Sequence, residues 1–306
     1  MDLKQIEYIV KIDDERSITR AAEKLYLTQS ALNQQLLHLE KDLGAQLFHR
    51  SKSDWRPTAI GQVYLDNARE ILRIKEQTYN IISDMAETKK GRLSIGFTPG
   101  RGSEMFTHVY PAFHRLYPNV IVEPHELSVH KQQALITQGD LDIGFQTLSE
   151  RQRTNDSYIS LGSEEIFLVI PAIHPLALMA SPPGEPYRTI DPSLLKYEPF
   201  VLMYKESTIR AITDELFRSS GFTPNVLFET ASNSTILSMI QAHLCCGVIP
   251  WHYVKNTPEG ICCFAFPTHP HWDIVAGYRK NAYLSKAARA FIQQAQDFWG
   301  PQTADS

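Results

Sequence analysis

The side chains of Gln29, Ser30, Asn33 and Gln34 are the first group in this chain whose types and spacing suggest a chemistry. In a helix these positions lie on neighbouring rows of one face, so the four side chains would be presented together. Amides pair bidentately with the major-groove edge of adenine, and a serine hydroxyl bonds to donors or acceptors. The spacing therefore favours a helix that reads base edges in duplex DNA.

Two short amphipathic patterns would position this polar face. The first follows Ser17, a natural N-cap, and the second begins after Thr28 and stops at Gly44. Their apolar positions recur at helical spacing, with Ile18, Ala21, Ala22 and Leu25 in the first and Leu32, Leu36, Leu39 and Leu43 in the second. The sequence predicts a helix-turn-helix, although spacing alone leaves open an ordinary helical hairpin with a solvated face.

Flanking segments complete a DNA-binding head. The apolar spacing of Leu3, Ile6 and Ile9 or Val10 predicts a first helix that covers the pair and ends near the acidic run 13–15. Residues 45–58 indicate a β-hairpin wing with its turn at 51–54. Basic side chains on such a wing reach phosphates or the adjacent minor groove. We expect Trp55 to pack rather than to stack on bases. The residues expected at the DNA are Ser17, Thr28, Gln29, Ser30, Asn33, Gln34, Arg50, Lys52, Arg56, Pro57 and Thr58.

Residues 1–61 resemble the N-terminal domain of the LysR-type transcriptional regulators. The matching positions are Ser17, Ala21, Ala22, Leu25, Gln29, Ala31, Leu32, Leu39, Glu40, Leu43, Gly44, Leu47, Phe48, Arg50, Thr58 and Gly61. Ser30 stands where the family commonly has proline, and Asn33 where it commonly has serine. The resemblance implies an all-α winged helix-turn-helix domain over residues 1–58, and the two departures concern the base sequence that it reads.

A long helical stretch follows, from Thr58 to about Lys90. A seam typical of helices that pair with a second copy is formed by Leu65, Ala68, Leu72, Lys75, Tyr79, Ile82 and Ala86. Lys75 is costly in such a seam, and several other apolar residues lie off it, so the register stays open. We expect residues 59–90 to be the family's linker dimerisation helix, which would let two heads read two half-sites.

From residue 91 onward, short apolar runs alternate with helical segments, which predicts parallel α/β units. Strands are predicted at 92–97, 120–124, 141–145, 166–170, 200–202, 226–228, 247–249, 261–264 and 274–278, and helices at 105–116, 131–138, 209–219, 235–243 and 285–299. We expect lobe I over about 91–163 and 269–306, and lobe II over about 164–268. Crossings near Ser163 and Thr268 would leave a cleft between the lobes.

This half also resembles the family, at 139–143, 166–176 and 239–250. The resemblance implies a two-lobed, periplasmic-binding-protein-like (type 2) regulatory domain over 91–306, with a small-molecule effector in the cleft. In such sheets, ligands meet strand ends and helix N-termini, where free N–H groups favour anions. The expected effector residues are Thr98, Gly100, Arg101, Gly102, Ser128, Gln146, Glu206, Ser207, Thr208 and Asn233.

Arg101 would clamp a carboxylate, which is the leading effector class. Each serine or threonine in this group fits equally well as an ordinary helix cap. Two vicinal pairs, Cys245–Cys246 and Cys262–Cys263, raise a thiol or metal sensor as another reading. Adjacent strand residues point to opposite faces, and the spacing is not that of zinc sites, so free buried thiols are favoured. We expect no metal and no cofactor.

Composition limits the function classes. The chain has 306 residues, 43% of them hydrophobic, and a formal net charge of −4, which argues against a generally adhesive nucleic-acid binder but not against local contact. No apolar run approaches the roughly 20 residues of a bilayer span, and the N-terminus lacks a signal-peptide pattern. We therefore expect a cytoplasmic protein with no membrane partner. GxSxG, P-loop and HExxH motifs are absent, so no enzyme is expected.

These observations predict a bacterial, sequence-specific transcriptional regulator of the LysR type. Its partners would be promoter DNA, a small-molecule effector, further copies of itself in a dimer of dimers, and RNA polymerase. Effector binding would favour one closure state of the cleft and so change the separation of the heads. The alternative is a small-molecule-binding protein that has lost sequence-specific DNA binding, which Ser30 and Asn33 support.

Overall fold

The computed structural model describes residues 2–50, 55–182, 184–255 and 258–300. The chain divides into two compact units, Met1–Thr88 and Lys89–Ser306. No helix in these described ranges is both long and apolar enough to cross a bilayer.

The first unit is a winged helix-turn-helix followed by a long helix, as the sequence predicted. Its elements are α1 (Leu3–Glu15), α2 (Ile18–Lys24), α3 (Gln29–Leu43), β1 (Phe48–Arg50), β2 (Trp55–Pro57) and α4 (Ala59–Met85). Side chains of Ser17, Thr28 and Thr58 cap α2, α3 and α4, each accepting a backbone N–H three residues ahead. Gly44, with φ 69°, ends α3 in the left-handed conformation that glycine adopts without strain.

The core of this unit joins the helix-turn-helix to the start of α4. Leu32, Leu36 and Leu39 are buried, but Leu43 is 47% exposed, so its predicted place on the inner face is wrong. Leu65 and Ala68 of α4 are also buried in this core. The predicted dimer seam is therefore partly wrong, because these two residues pack on their own chain.

Lobe I of the second unit holds a sheet with helices packed on it. Its first elements are β3 (Lys90–Phe97), α5 (Arg101–Leu116), β4 (Asn119–Glu126), α6 (Val129–Gln138), β5 (Ile143–Leu148) and the start of β6 (Ser157–Pro171). Strand β3 pairs in parallel with β4 and β5. The chain returns to this lobe through β11 (His271–Tyr278) and α10 (Lys286–Trp299), as the expected crossings require.

Lobe II lies between those two passages of the chain. Its elements are β7 (Pro199–Met203), α7 (Thr208–Ser219), β8 (Asn225–Thr230), α8 (Asn233–Gln241), β9 (Gly247–Pro250), α9 (Trp251–Val254) and β10 (Ile261–Ala265). Strands β7 and β8 are parallel, whereas β9 and β10 each pair antiparallel with β6.

The strand β6 joins the two lobes. Its first half pairs with β11 in lobe I, and its second half pairs with β9 and β10 in lobe II. The sequence predicted only residues 166–170 as a strand, because residues 157–165 show neither a strict polar–apolar alternation nor a continuous apolar run. The expected crossing at Ser163 lies inside this strand, and both lobes contain antiparallel pairs that the helix-strand alternation did not predict.

Several predicted boundaries move. The long helix was predicted to reach about Lys90. Helix α4 instead ends at Met85, and Lys90 is the first residue of β3. The sequence predicted that Gln146 lies in the loop after the strand at 141–145. Strand β5 instead continues to Leu148, so Gln146 is a strand residue. Helix α5 begins at Arg101, four residues earlier than predicted, since its first turn lacks an apolar periodic signal.

Candidate DNA-binding surface and ligand cleft

The first turns of α3 carry the polar face expected at DNA. Gln29, Ser30 and Gln34 are exposed and Asn33 is half-buried, while the leucines on the opposite face anchor the helix in the core. These four side chains can therefore reach a ligand outside the unit without unpacking it.

The turn before α3 fixes the position of this face. Tyr26 adopts φ 54°, in the left-handed region, and the amide of Leu27 donates to the carbonyl of Ala22 at 2.9 Å. Across the turn, the hydroxyl of Thr19 on α2 donates to Oε1 of Gln29 at 3.3 Å. The sequence reasoning missed Thr19, because only the tertiary turn brings it to Gln29.

Three hydroxyls expected at the DNA hold helix ends in this structure. Ser17 Oγ accepts from the amide of Arg20 at 3.3 Å, and Thr28 Oγ1 accepts from that of Ala31 at 3.2 Å. Thr58 Oγ1 accepts from the amide of Gly61 at 2.9 Å and donates to the carbonyl of Gln46 at 2.8 Å. Thr58 thus ties α4 to the wing.

The wing is the short antiparallel pair β1–β2, in which His49 faces Arg56. Arg50 pairs with the buried carboxylate of Glu40 on α3, and its guanidinium lies 6.0 Å from the ring centroid of Trp55. Arg56 is exposed and Pro57 half-buried, whereas Lys52 lies outside the described residues. Arg50 therefore has a structural partner that the sequence did not predict.

The exposed cations of α2 are opposed by an acid at the end of α1. Lys24 Nζ lies 2.7 Å from Glu15 Oε1, and Arg20 Nε lies 4.0 Å from Glu15 Oε2. The hydrogen bond from Lys24 lowers the pKa of Glu15. Glu15 thus opposes the positive charges of Lys24 and Arg20 within the head itself.

Helix α4 exposes a second apolar face. Lys75, which was costly in the predicted seam, is bound to Glu7 of α1, with 2.6 Å between Nζ and Oε1. A stripe at spacings of three, four, seven and eight lies on a neighbouring face, and we call it the linker stripe. It consists of Ile60, Val63, Ile71, Ile74, Ile81 and Met85, of which Ile60, Val63, Ile74 and Met85 are 51–80% exposed.

In the second unit, the two lobes enclose a cavity of about 60 Å³. The first residues of four helices line it, from α5, α6, α7 and α8. Seven of the ten expected effector residues are brought together there: Thr98, Arg101, Ser128, Glu206, Ser207, Thr208 and Asn233. Helix N-termini carry a partial positive charge, so their convergence on one cavity favours a bound anion.

The three other expected effector residues do not line this cavity. Gly100 turns the backbone into α5 with φ 75°, and Gly102 packs so closely that a Cβ would lie 2.9 Å from Cβ of Phe97. Gln146 is 1% exposed within β5. Burial keeps Gly102 and Gln146 from the cavity, whereas Gly100 is exposed and does not line it.

Two hydroxyls at the cavity differ in their bonding. Thr208 Oγ1 on α7 donates to the carbonyl of Thr147 on β5 at 2.8 Å, which joins lobe II directly to lobe I. Ser128 begins α6 without a side-chain cap bond within the described residues. The Ser128 hydroxyl is therefore available to a ligand at little cost to the fold.

Arg101 is the charged group of the cavity wall, with its side chain 4% exposed. Its Nη1 lies 3.2 Å from Glu104 Oε2 and its Nε 3.9 Å from Glu164 Oε2. Its guanidinium lies over the ring of Trp299, 4.3 Å from the centroid. Nε and Nη2 find no hydrogen-bond acceptor anywhere in the described parts of the chain.

Together with Arg101 and Glu104, the side chains of Glu164 and His252 form a charged group that spans both lobes. Glu164 of β6 accepts from the backbone amide of His252 at 2.8 Å and from Nε1 of Trp272 at 3.0 Å. His252 Nε2 lies 3.3 Å from Glu104 Oε2. Burial, reinforced by the charge of Arg101, lowers the pKa of His252 to about 4. No local signal in the sequence pointed to either residue, because they come from β6 and α9.

The cysteines lie in the two cores of lobe II. Cys246 and Cys262 contact one core, and Cys245 and Cys263 the other, as the alternation of strand faces predicted. Cys262 and Cys263 lie in β10, whereas Cys245 and Cys246 directly precede β9 and were wrongly expected inside a strand. Strand β6 separates β9 from β10, whereas the sequence had suggested neighbours. Burial raises the pKa of Cys245 to about 11 and that of Cys246 and Cys263 to about 12. Such thiols are protonated near neutral pH and react poorly.

Metal binding has no site of the usual kind in the described structure. Within the described ranges, no group of three or more histidine, cysteine or carboxylate side chains is placed to hold an ion. The thiol or metal sensor is therefore not supported by geometry.

Comparison with family models matches both units. Residues 3–62 match "Bacterial regulatory helix-turn-helix protein, lysR family", and residues 86–300 match "LysR substrate binding domain". Among similar proteins, the chain is 28% identical to the uncharacterised HTH-type transcriptional regulator YcgK of Bacillus subtilis, over 97% of this chain and 94% of that protein. It is 29% identical to the nitrogen assimilation regulatory protein nac of Escherichia coli, over 82% and 78% of the two chains.

Solved structures of similar chains share the fold. A full-length OxyR variant from Pseudomonas aeruginosa superposes with a TM-score of 0.70 at 25% identity, covering 98% of this chain and 94% of that one. Full-length CbnR, solved in complex with its target DNA, gives a TM-score of 0.58 at 18% identity over 97% and 99% of the chains. The second likeness shows the fold alone.

Proposed function

Because the chain belongs to the LysR family of DNA-binding transcriptional regulators, with an effector-binding domain over residues 86–300, we propose roles for its individual residues. The first turns of α3 read base edges through Gln29, Ser30, Asn33 and Gln34. The observation that carries this proposal is the exposed amide and hydroxyl face on a helix anchored by buried leucines.

Backbone contacts surround this reading face. The wing residues Arg50, Lys52, Arg56 and Pro57 lie against phosphate or the adjacent groove, and the N-cap residues Ser17, Thr28 and Thr58 lie at helix ends where N–H groups favour phosphate. Arg50 contacts the phosphate while it is also ion-paired with Glu40, and this ion pair limits how far its guanidinium can extend.

We further propose that the chain acts as a dimer through the linker stripe, and that two dimers assemble into a homotetramer. The apolar stripe on α4 is exposed over several turns, and burying it against a second copy would remove that surface from water. The assembly works in the bacterial cytoplasm, where promoter DNA and RNA polymerase are its partners.

The effector in the cleft is a small molecule with a carboxylate. The support is the convergence of four helix N-termini on one cavity, together with Arg101, which lines this cavity and whose buried Nε and Nη2 have no hydrogen-bond acceptor among the described residues. Nε and Nη2 form the edge of the guanidinium that binds a carboxylate through two parallel hydrogen bonds. Effector binding then changes DNA affinity to the extent that it distinguishes the two closure states.

Selection of bound sequences from a random duplex library, with the full-length protein at near-physiological salt, tests the DNA-reading role. We expect a two-fold-related motif with fixed half-site spacing. Gln29→Ala should weaken binding to that motif by about 1–3 kcal/mol and leave binding to unrelated duplex nearly unchanged. No enriched motif, or equal losses on all DNA, would contradict the proposal.

Matched pairs of small molecules test the effector class. Thermal unfolding of the full-length protein is compared in acetate against acetamide, and in benzoate against benzamide, at equal ionic strength. We expect stabilisation by an acid but not by its amide, and a smaller shift in Ser128→Ala, whose hydroxyl lines the cavity without capping α6. Equal effects of acid and amide would remove the carboxylate from the proposal.

The alternatives are not favoured. A binder that has lost DNA recognition is opposed by the match of residues 3–62 and by relatives that are transcriptional regulators. These relatives also support a regulatory and non-catalytic role. The thiol sensor is opposed by the burial and raised pKa of Cys245, Cys246 and Cys263.

A further inference from the structure

Thr19 has no role in the function described so far, yet its side chain touches a base-reading residue. It lies in the first turn of α2, and its hydroxyl donates to Oε1 of Gln29, the first residue of α3, at 3.3 Å. Both side chains are exposed, so neither contributes to the buried core of the unit. The bond joins the two helices of the helix-turn-helix at the end that faces outward.

The framework around this bond is rigid. Ser17 caps α2, and Ala21 and Ala22 are buried against the neighbouring helices. The left-handed Tyr26 and the bond from the Leu27 amide to the Ala22 carbonyl fix the turn into α3. Thr19 and Gln29 are therefore held at a defined separation by the backbone.

The two side chains differ in freedom. Threonine is branched at Cβ and has few χ1 states, whereas glutamine loses much more rotamer entropy when its side chain is fixed. A stiff donor that holds one lone pair of Oε1 restricts the glutamine before any DNA arrives. The second lone pair and the NH₂ group remain for a base edge, because an amide oxygen accepts two hydrogen bonds.

We propose that Thr19 is a positioning residue for base reading, which orients the Gln29 amide and thereby sharpens discrimination at the base pair that Gln29 contacts. This inference rests on the proposed DNA-reading role of Gln29. Thr19 itself contacts neither the base nor the phosphate, and its effect passes through Gln29.

A double-mutant cycle in the full-length protein tests the proposal. Motifs and affinities are measured for wild type, Thr19→Val, Gln29→Ala and the double variant, on the selected site, on its single-base variants and on unrelated duplex. Gln29→Ala identifies the base pair. Thr19→Val should lower discrimination at that same base pair by about 2- to 10-fold, the range of one net hydrogen bond. In the double variant, Thr19→Val should add nothing further.

Two controls separate positioning from packing. Thr19→Ser keeps the hydroxyl and should retain most of the discrimination. Thr107→Val makes the same exchange at an exposed threonine of α5, whose hydroxyl donates to the carbonyl of Glu104, and should leave the motif unchanged.

Each remaining result overturns the inference. An equal loss on all duplexes would make Thr19 a phosphate contact, and a loss that persists beside Gln29→Ala would give it a base contact of its own. An unchanged motif in Thr19→Val, while Gln29→Ala relaxes one base pair, would remove the positioning role and leave the proposed function intact. Absence of any wild-type motif would overturn the proposed function itself.

Discussion

Arg50 combines a structural and a proposed DNA-binding role in one side chain. The sequence suggested a wing cation at the phosphates, and the structure adds an ion pair with Glu40, which is 6% exposed and also accepts from the Leu47 amide at 2.8 Å. A buried carboxylate that loses its cation keeps its desolvation cost. The residue therefore has to be tested for both roles.

Arg50→Ala is expected to destabilise the first unit by about 1–3 kcal/mol, with a third of the arginine exposed and Glu40 buried. Hydrogen exchange of the α3 amides in the full-length protein measures this as lost protection. Lys41→Ala removes the same charge from the exposed side of α3 and is the control. Equal protection in both variants would contradict a structural role for Arg50.

The same variant tests the DNA contact. Below its unfolding range, Arg50→Ala should bind every duplex more weakly and with a shallower salt dependence than wild type, by up to about one unit of slope. A loss confined to the selected motif would argue against a phosphate contact.

At the scale of elements, the predicted helix ends were correct wherever a capping residue stood next to a run of apolar residues at helical spacing. Ser17, Thr28, Thr58 and Gly44 mark the helix ends where the sequence put them. In the linker helix, helical spacing alone did not identify the face that packs on its own domain. Both apolar stripes on α4 satisfy helical spacing, and only the packing of α1 against α4 shows which one its own domain covers.

Ile74→Asp is expected to weaken dimerisation at least about tenfold, because it buries a charge in the linker stripe. Tyr79→Asp, at a residue of the seam first predicted from sequence that is 65% exposed, is the matched control and should dimerise normally. Sedimentation equilibrium of the full-length protein distinguishes them. Dissociation by Tyr79→Asp alone would return the interface to the first seam.

At the scale of the whole second unit, one charged group connects both lobes. Arg101 and Glu104 belong to lobe I, His252 to lobe II, and Glu164 to the strand that passes through both. Together with the Thr208–Thr147 bond, these contacts hold the lobes in the conformation seen here. The unit's stability should therefore depend on pH in a way that identifies His252.

The pKa of His252 falls from 6.5 to about 4 on folding. Between these values the unfolded chain binds a proton that the folded protein does not, so stability rises with pH from about 4 to 6.5. Between pH 5 and 7.5 this dependence amounts to at most about 2 kcal/mol, from 1.36 kcal/mol for each of the roughly 1.5 pH units between pH 5 and 6.5, and His252→Gln should remove it. Urea unfolding of the second unit at pH 5 and 7.5 measures it.

Exposed His130→Gln serves as the control, since it removes a histidine of the same unit without touching the charged group. Carboxylates other than Glu104 and Glu164, which contact His252, contribute equally to all three proteins and cancel in the comparison. A wild-type pH dependence retained in His252→Gln would show that His252 keeps its ordinary pKa in the folded protein.

In the ligand cleft, some of the site residues could be predicted from the sequence and others could not. Seven expected effector residues line the cavity because strand ends and helix starts can be recognised locally, and the α/β alternation brings them to one edge. Gly102 and Gln146 carry the same local signals but are buried by neighbours in other elements. Thr19 carried no such signal, because its partner Gln29 lies beyond a turn.

The sequence by itself determined the helix caps and the exposed polar face of α3, because each depends on residues within about one helical turn. The order of the two units and the two-lobed class followed from the succession of such local patterns and from the resemblance that they carry. Tertiary structure alone decided the pairs Arg50–Glu40, Lys75–Glu7 and Arg101–Glu164. Their members lie on different elements, so no periodicity relates them. Their pairing follows from helix packing and from the passage of β6 through both lobes, which hydrophobic spacing does not encode.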